Sequence, residues 1–387
     1  MKLFSKISVI VLVCCLVSNV SVFAADKGNF STKPTTNNGQ KWRIGYYEGG
    51  EYIEYPKNLL AIVKGLMEIG WLETIEIPLQ QGEQTKDLWQ WLVTNSKSQY
   101  LEFVPDAHYT ANWDGPTRKN LAAATIERLN TTKDIDLIIA MGTWAGQDLA
   151  NNNHHTPVLV ASTSNPISSN IIKSVEDSGY DHVLARVDPL RYERQVRIFH
   201  DIIGFQKLGV AYEDTVPGRS IAALAEIERV AQERGFETVS CLTIDDVPDR
   251  TIAEESVKKC FQELGDKGVN AIYATLQNGI NTNTIPELVK IANSYRIPTF
   301  SQSGSDEVRY GFLMSISTAS FKYVGVFYAE TIAKIFNGAQ PRQLGQLFED
   351  PPKIAINLKT AESIGYDPPV DVLGAADEIY QEIETPK

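Results

Sequence analysis

The chain has 387 residues, 43% hydrophobic and 22% charged, with 36 Lys and Arg against 48 Asp and Glu for a net charge of −12. This is the composition of an ordinary globular protein of about two domains, and it argues against a disordered chain, a collagen or a polytopic membrane protein. The acidic excess repels phosphate backbones and anionic membrane surfaces, so nucleic acid is not an expected partner.

Residues 1–24 read as an export signal. Lys2 and Lys6 precede an uncharged apolar run, Ile7 to Val17, and Val22-Phe23-Ala24 places small residues at −3 and −1 of a cut after Ala24. The run is too short for a transmembrane helix. Cys14 and Cys15 lie inside it without a small residue before them, which argues against a lipoprotein. An oxidising compartment permits a bond between the two remaining cysteines, Cys241 and Cys260, but two separate buried thiols fit the sequence as well, because spacing does not fix the Cα separation.

Residues 25–41, rich in Thr, Asn, Gly and Lys, read as a flexible tether. From Trp42 strands and helices alternate. Strands are expected at Trp42–Tyr47, Glu73–Leu79, Tyr100–Pro105, Leu137–Met141, Pro157–Ala161 and Val183–Val187, with helices at Asn58–Ile69, within 87–100, and at Thr117–Leu129 and Ala145–Ala150. The helix Tyr192–Ile203 then opens a second run. Its strands are Lys207–Tyr212, Glu237–Thr243, Ala271–Thr275 and Thr299–Ser301, its helices Ser220–Arg234, Ile252–Gly265 and Ile285–Ser294. The helix Lys322–Phe336, the strand Lys353–Leu358 and the helix Thr360–Ile364 follow. Such alternation, with continuously apolar strands, predicts an α/β fold of two doubly wound parallel-sheet lobes, with ligands held beyond the carboxyl ends of the strands.

The turns at those ends are alike in makeup, each joining small or hydroxyl residues to an aromatic, amide or acid. They are Glu48-Gly49-Gly50 with Tyr52, Gly142-Thr143-Trp144, Ser162-Thr163-Ser164-Asn165, Tyr212-Glu213, Gln277-Asn278 and Gln302-Ser303. Glycine lets a backbone approach a ligand, first-turn amides receive oxyanions, hydroxyls and amides supply donors and acceptors, and Trp144 and Tyr52 offer faces to an apolar body. Each turn taken alone reads as helix capping; the binding reading rests on their facing one cleft. Of Glu48, Glu51 and Glu54, one is expected at the ligand. No nucleophile elbow, zincin helix, P-loop or dinucleotide fingerprint occurs, so neither catalytic residues nor cofactor nor metal is expected. His154-His155 reads as a solvated loop because adjacent side chains point apart, and Asp245-Asp246 with Asp249 as a surface loop.

Taken together, Asp136-Leu137-Ile138-Ile139-Ala140-Met141-Gly142-Thr143-Trp144-Ala145, Thr156-Pro157-Val158-Leu159-Val160, Ser164-Asn165-Pro166, Leu208-Gly209-Val210-Ala211-Tyr212, Ile297-Pro298-Thr299-Phe300 and the stretch from Lys353 to Ala361 resemble, in order and spacing, the substrate-binding proteins of bacterial ABC transporters that include tryptophan- and tyrosine-type uptake proteins. The resemblance runs from Arg43 to about Asp377. It implies a type I periplasmic-binding fold, with lobe one at 42–185 and 317–345, lobe two at 186–316 and 346–387, and three crossings near Arg186, Ser317 and Gly345. It also implies an exported, periplasmic, monomeric receptor that binds a small organic ligand (an amino acid or a related aromatic or carboxylate-bearing compound) and serves a permease with a cytoplasmic ATPase. The alternative is a sensing receptor for a membrane signalling protein. Asn165 and Gln277-Asn278 stand where the family often carries carboxylates, and Ser315-Ile316-Ser317-Thr318 where it often has Gly-x-Asp-Tyr. An ammonium-bearing ligand would then need Glu48 or Glu213, and a neutral or anionic one fits the amide-rich turns at least as well.

Overall fold

The run Leu137-Ile138-Ile139-Ala140-Met141 contains no polar side chain, and all five residues are wholly buried, as a central parallel strand covered on both faces requires. The computed structural model describes residues 26–78, 82–318, 321–349 and 352–385; the expected export signal at 1–24 lies outside them. That run is β3 of a five-stranded, all-parallel sheet made of β1 (Trp42–Glu48), β2 (Leu101–Thr110), β3, β4 (Val158–Ala161) and β5 (Val183–Ala185), ordered β2-β1-β3-β4-β5.

The second sheet has seven strands. They are β6 (Lys207–Glu213), β7 (Glu237–Thr243), β8 (Ala271–Ala274), β9 (Thr299–Ser301), β10 (Met314–Thr318), β11 (Pro352–Asn357) and β12 (Glu378–Tyr380), in the order β12-β11-β10-β9-β8-β6-β7. Only β10 against β11 is antiparallel. Two apolar clusters cover each sheet, one per face, so the two doubly wound lobes are present.

The chain passes between the lobes three times: after β5, between β10 and the helix Phe321–Phe336, and before β11. The first and third passages are joined: the Val187 amide donates to the Gln346 carbonyl at 2.9 Å, and the Phe348 amide to the Val187 carbonyl at 3.0 Å. The helix Phe321–Phe336 returns to lobe one and packs on Glu54–Glu68. Gly65 and Gly325 face each other there, and a Cβ on Gly65 would sit 2.5 Å from the Gly325 carbonyl oxygen. No described helix is long and apolar enough to cross a membrane.

Several expectations are revised. Residues 26–41 pack along lobe one instead of forming a free tether: the Trp71 and Trp42 indoles donate to the Thr32 and Thr35 carbonyls at 2.9 Å, and the Asn337 amide to the Ser31 and Lys33 carbonyls at 3.0 Å. Residues 73–78 form no strand. The helix expected at Ser220–Arg234 is two, Val216–Ile221 and Leu224–Arg234, broken at Ala223, whose φ of 54° cannot continue a right-handed helix. β10 and β12 have no counterpart among the expected strands. His154 is buried, its ring edge-on to His182 at 4.7 Å and one ring nitrogen 3.0 Å from the Leu149 carbonyl. Cys241 on β7 and Cys260 on the helix Arg250–Asp266 are joined in a disulfide, with a Cα–Cα distance of 5.5 Å.

This packing can be tested at two points. Replacing both Cys241 and Cys260 by Ala frees a 19-residue separation, and chemical denaturation is expected to register a loss of about 3 kcal/mol; no loss would show that the bond constrains nothing. Glu48 closes β1 with its carboxylate buried, and burial raises its pKa to about 7. The native state therefore keeps a proton that the unfolded chain has released, and stability falls as pH rises from about 4.5 to 7. Glu48→Gln removes this decline, so the variant's stability relative to wild type is expected to rise by about 2–3 kcal/mol across that window. A difference that is flat with pH would contradict it.

Candidate functional site

Because every strand of the first sheet is parallel, its carboxyl ends deliver their loops to a single edge, and the second sheet presents the same edge of β6–β10 to it. Between the edges lies a cavity of about 340 Å³. Lobe one contributes residues after β1, β2, β3 and β4, and lobe two residues after β6, β7, β8 and β9. Arg186, Arg191 and Tyr192 come from the first passage between lobes, Phe321 and Val324 from beyond the second, and Lys353 and Glu378 from β11 and β12.

Local backbone geometry sets the aromatic wall. Gly142 has φ +90°, and a Cβ there would run into the Tyr55 hydroxyl. That residue turns the chain from β3 straight into the helix Thr143–Leu149, which places Thr143 and Trp144 at the cavity. Trp144 meets Trp113 edge-on at 5.3 Å and carries the Arg118 guanidinium over its ring at 4.4 Å. Gly49 and Gly50 lie against the Trp113 ring, where a Cβ on Gly50 would approach to 2.5 Å. Trp113 is tied down by its amide to the Gly49 carbonyl and its indole to the Glu51 carbonyl, both at 2.9 Å. Tyr52 stands edge-on to Tyr55 at 5.2 Å.

Of the residues singled out in the sequence, Tyr52, Thr143, Trp144, Ser162, Thr163, Ser164, Gln277, Asn278 and Ser303 line the cavity. The others stand behind its wall, for identifiable reasons. The Glu48 carboxylate is 2% exposed and accepts from the Tyr46 hydroxyl at 2.8 Å and the Thr85 hydroxyl at 2.7 Å. Gly49, Gly50 and Gly142 give room to aromatic side chains. Tyr212 packs in the core of lobe two, and Glu213 accepts the amides of Asp245 at 3.1 Å and Asp246 at 3.4 Å. The Gln302 side chain braces loops, donating to the Ile221 carbonyl and accepting from the Leu276 amide, each at 2.8 Å. Asn165 donates to Glu226 of the other lobe at 2.5 Å.

That last contact belongs to a set that spans the cleft. The Ser220 hydroxyl lies 2.6 Å from that of Ser168 and 2.7 Å from that of Ser169, Lys57 pairs with Asp306 at 2.7 Å, and Arg250 with Glu83 at 2.6 Å. The lobes are thus held against each other around the cavity.

The sequence reading missed the charged lining. Asp245 and Asp246, expected on a surface loop, are in the cavity wall, while Asp249 caps the helix Arg250–Asp266 by accepting the Thr251 amide at 3.0 Å. Burial, with the charges of Asp246 and Glu213, pushes Asp245 well above the ordinary carboxylate range, and burial with the charge of Glu213 pushes Asp246 to about 7. Lys57, Arg186, Arg191 and Lys353 also line the site, as does Glu54, the one of the three glutamates near the first turn that borders the cavity. Lys353 pairs with Glu378 at 2.6 Å. Next to the lining, Glu307 is buried against the Ser301 hydroxyl, and burial raises its pKa to about 8. The signal for the acidic pair was its position directly after a strand end, where the other lining turns also lie. Among the described residues no group of three or more His, Cys, Asp or Glu has the arrangement to hold a metal ion.

The arrangement is one of adsorption: an aromatic wall, neutral donors and acceptors from both lobes, and charges of both signs. The overall shape is shared with solved proteins. A domain from Streptococcus pneumonia in complex with L-Trp superposes with a TM-score of 0.66 over 88% of this chain and 100% of its own, at 20% identity. A ligand-free, open substrate binding protein with adhesive properties from Clostridium difficile gives 0.57 over 88% and 100%, at 19% identity. A tyrosine-binding protein of Clostridioides difficile (strain R20291) is 22% identical over 254 residues, 65% of this chain and 68% of that protein. The sequence profile of the ABC transporter substrate binding protein family matches residues 111–380. The chain is therefore a member of that family, with a type I periplasmic-binding fold.

Proposed function

We propose that this protein works outside the cytoplasm, capturing a small organic solute between its lobes and handing it unaltered to an ABC permease driven by a cytoplasmic ATPase. The observation that carries this reading is that the cavity is incomplete in either lobe: Trp144 and Tyr52 come from one, Gln277 and Ser303 from the other. A solute touching both sets is fully held only when the lobes meet, so it binds the closed form more tightly and draws the population there. Moving that equilibrium from 1:99 to 99:1 needs about 5.5 kcal/mol of differential affinity, which is within reach of a few aromatic and hydrogen-bonding contacts. No covalent step is required of any residue. The aromatic wall suits a ring-bearing solute, and the tyrosine-binding relative and the L-Trp complex support the same class.

Titration with a metabolite panel, followed by small-angle scattering, tests the reading; it fails if no compound both binds and compacts the protein. Trp144→Ala is expected to weaken an aromatic ligand by about 10–100-fold through lost ring contact, with the far-ultraviolet dichroism of the wild type retained. Unchanged affinity would remove Trp144 from the binding surface.

A further inference from the structure

The cavity wall carries two adjacent carboxylates, Asp245 and Asp246, that form no ion pair with a basic side chain among the described residues. Of its other acids, Asp306 is paired with Lys57 at 2.7 Å and Glu378 with Lys353 at 2.6 Å, while Glu54 accepts the Ser303 hydroxyl at 3.4 Å. Asp245 and Asp246, in contrast, receive only neutral donors among the described residues. Asp245 accepts the Gly279 amide at 3.2 Å, and Asp246 accepts from the Asn278 side-chain amide at 3.5 Å. Arg118, the basic group nearest in effect, is committed to Asp148 at 2.9 Å. Glu213 adds a further negative charge from below, through its hold on the Asp245 and Asp246 amides.

A second observation points the same way. Gln277 is 5% exposed and lines the same wall, and its side-chain nitrogen is fixed by the Ala211 carbonyl at 3.0 Å and the Thr275 hydroxyl at 2.8 Å. That leaves its oxygen buried and without a donor among the described residues. The loop that carries it, 277–279, is the one that contacts Asp245 and Asp246. Two carboxylates and an orphaned amide oxygen are all acceptors, on residues that line the cavity together with Trp144. The chemistry that satisfies them together is a positively charged group with several N–H donors.

We propose that Asp245, Asp246 and Gln277 form the receptor for a protonated nitrogen of the solute, so that the protein takes aromatic cations or zwitterions and discriminates against their amine-free acids. This rests on the solute-capture reading and names the class of solute. It also replaces the expectation that an ammonium-bearing ligand would need Glu48 or Glu213: the acids come from the loop after β7. Burial, with the neighbouring negative charge, favours a proton on the pair; an arriving cation replaces it.

The test is calorimetric titration of the full chain, with scattering at saturation. The probes are L-tyrosine and L-tryptophan, their decarboxylated amines tyramine and tryptamine, their deaminated acids 3-(4-hydroxyphenyl)propionate and indole-3-propionate, and benzoate. At least one amine-bearing probe is expected to bind and compact the protein, with its deaminated counterpart about 100-fold weaker. Asp246→Asn is expected to weaken the amine-bearing probe by about 30-fold or more, without lowering the melting temperature of the unliganded protein, because it removes an unpaired buried charge. Acids that bind as tightly as their amine-bearing parents overturn the proposal, as does a folded Asp246→Asn with wild-type affinity. If the variant does not fold, the wild-type comparison of amine-bearing and deaminated probes decides alone. Acids that bind and compact the protein while amines do not would sink this inference and leave solute capture standing; no binding by any probe would also sink this inference, and the metabolite panel then decides solute capture.

Discussion

A parallel sheet sends every strand-to-helix loop to one edge, and the rest of this molecule follows from that geometry. Two such sheets whose loop edges oppose each other enclose a space without any element dedicated to building it. The join between the first and third passages, Val187 with Gln346 and Phe348, sets the line about which those edges meet. The close seat of the helix Phe321–Phe336 on Glu54–Glu68, at Gly65 and Gly325, returns the second passage to lobe one, which keeps that lobe a single body although its chain is interrupted.

The cavity wall combines rigid and polar parts for a physical reason. Trp144 is fixed by Trp113 on one side and Arg118 on another, so little side-chain freedom remains to be lost when a ring settles on it. Around it the acceptors and donors are held by bonds to the backbone or to each other, as Gln277 is by Ala211 and Thr275. The unmatched charge of Asp245 and Asp246 is the exception, a local cost borne in the empty site. Such exceptions collect where a partner is meant to arrive.

Much of this was legible in the sequence. Leu137–Met141, Glu237–Thr243 and Thr299–Ser301 are strands with the expected limits; the first is an apolar run bounded by turn residues, which carries its own signal. β10 escaped notice because Ser315 and Ser317 interrupt its apolar residues, although Ser315 is fully buried. Residues 26–41 read as a tether because their composition is polar; they are held by backbone carbonyls, a kind of attachment that side-chain composition does not report. Among the site residues, the small, hydroxyl and aromatic turns were recognisable as a set, yet glycines such as Gly50 and Gly142 serve aromatic neighbours and do not border the cavity. The acidic pair was visible and misplaced, because two adjacent aspartates are usually solvated and only the three-dimensional path of the loop after β7 encloses them.

Capture, as proposed for this protein, means that its two lobes close on a guest and reopen to release it. Small-angle scattering of the full chain, recorded as its tightest-binding compound is titrated in and then dialysed out, follows that motion itself. If the lobes close on the guest, the radius of gyration contracts in step with occupancy and recovers on dialysis, with the compound regained unchanged. A radius that stays constant while calorimetry shows saturation would contradict it.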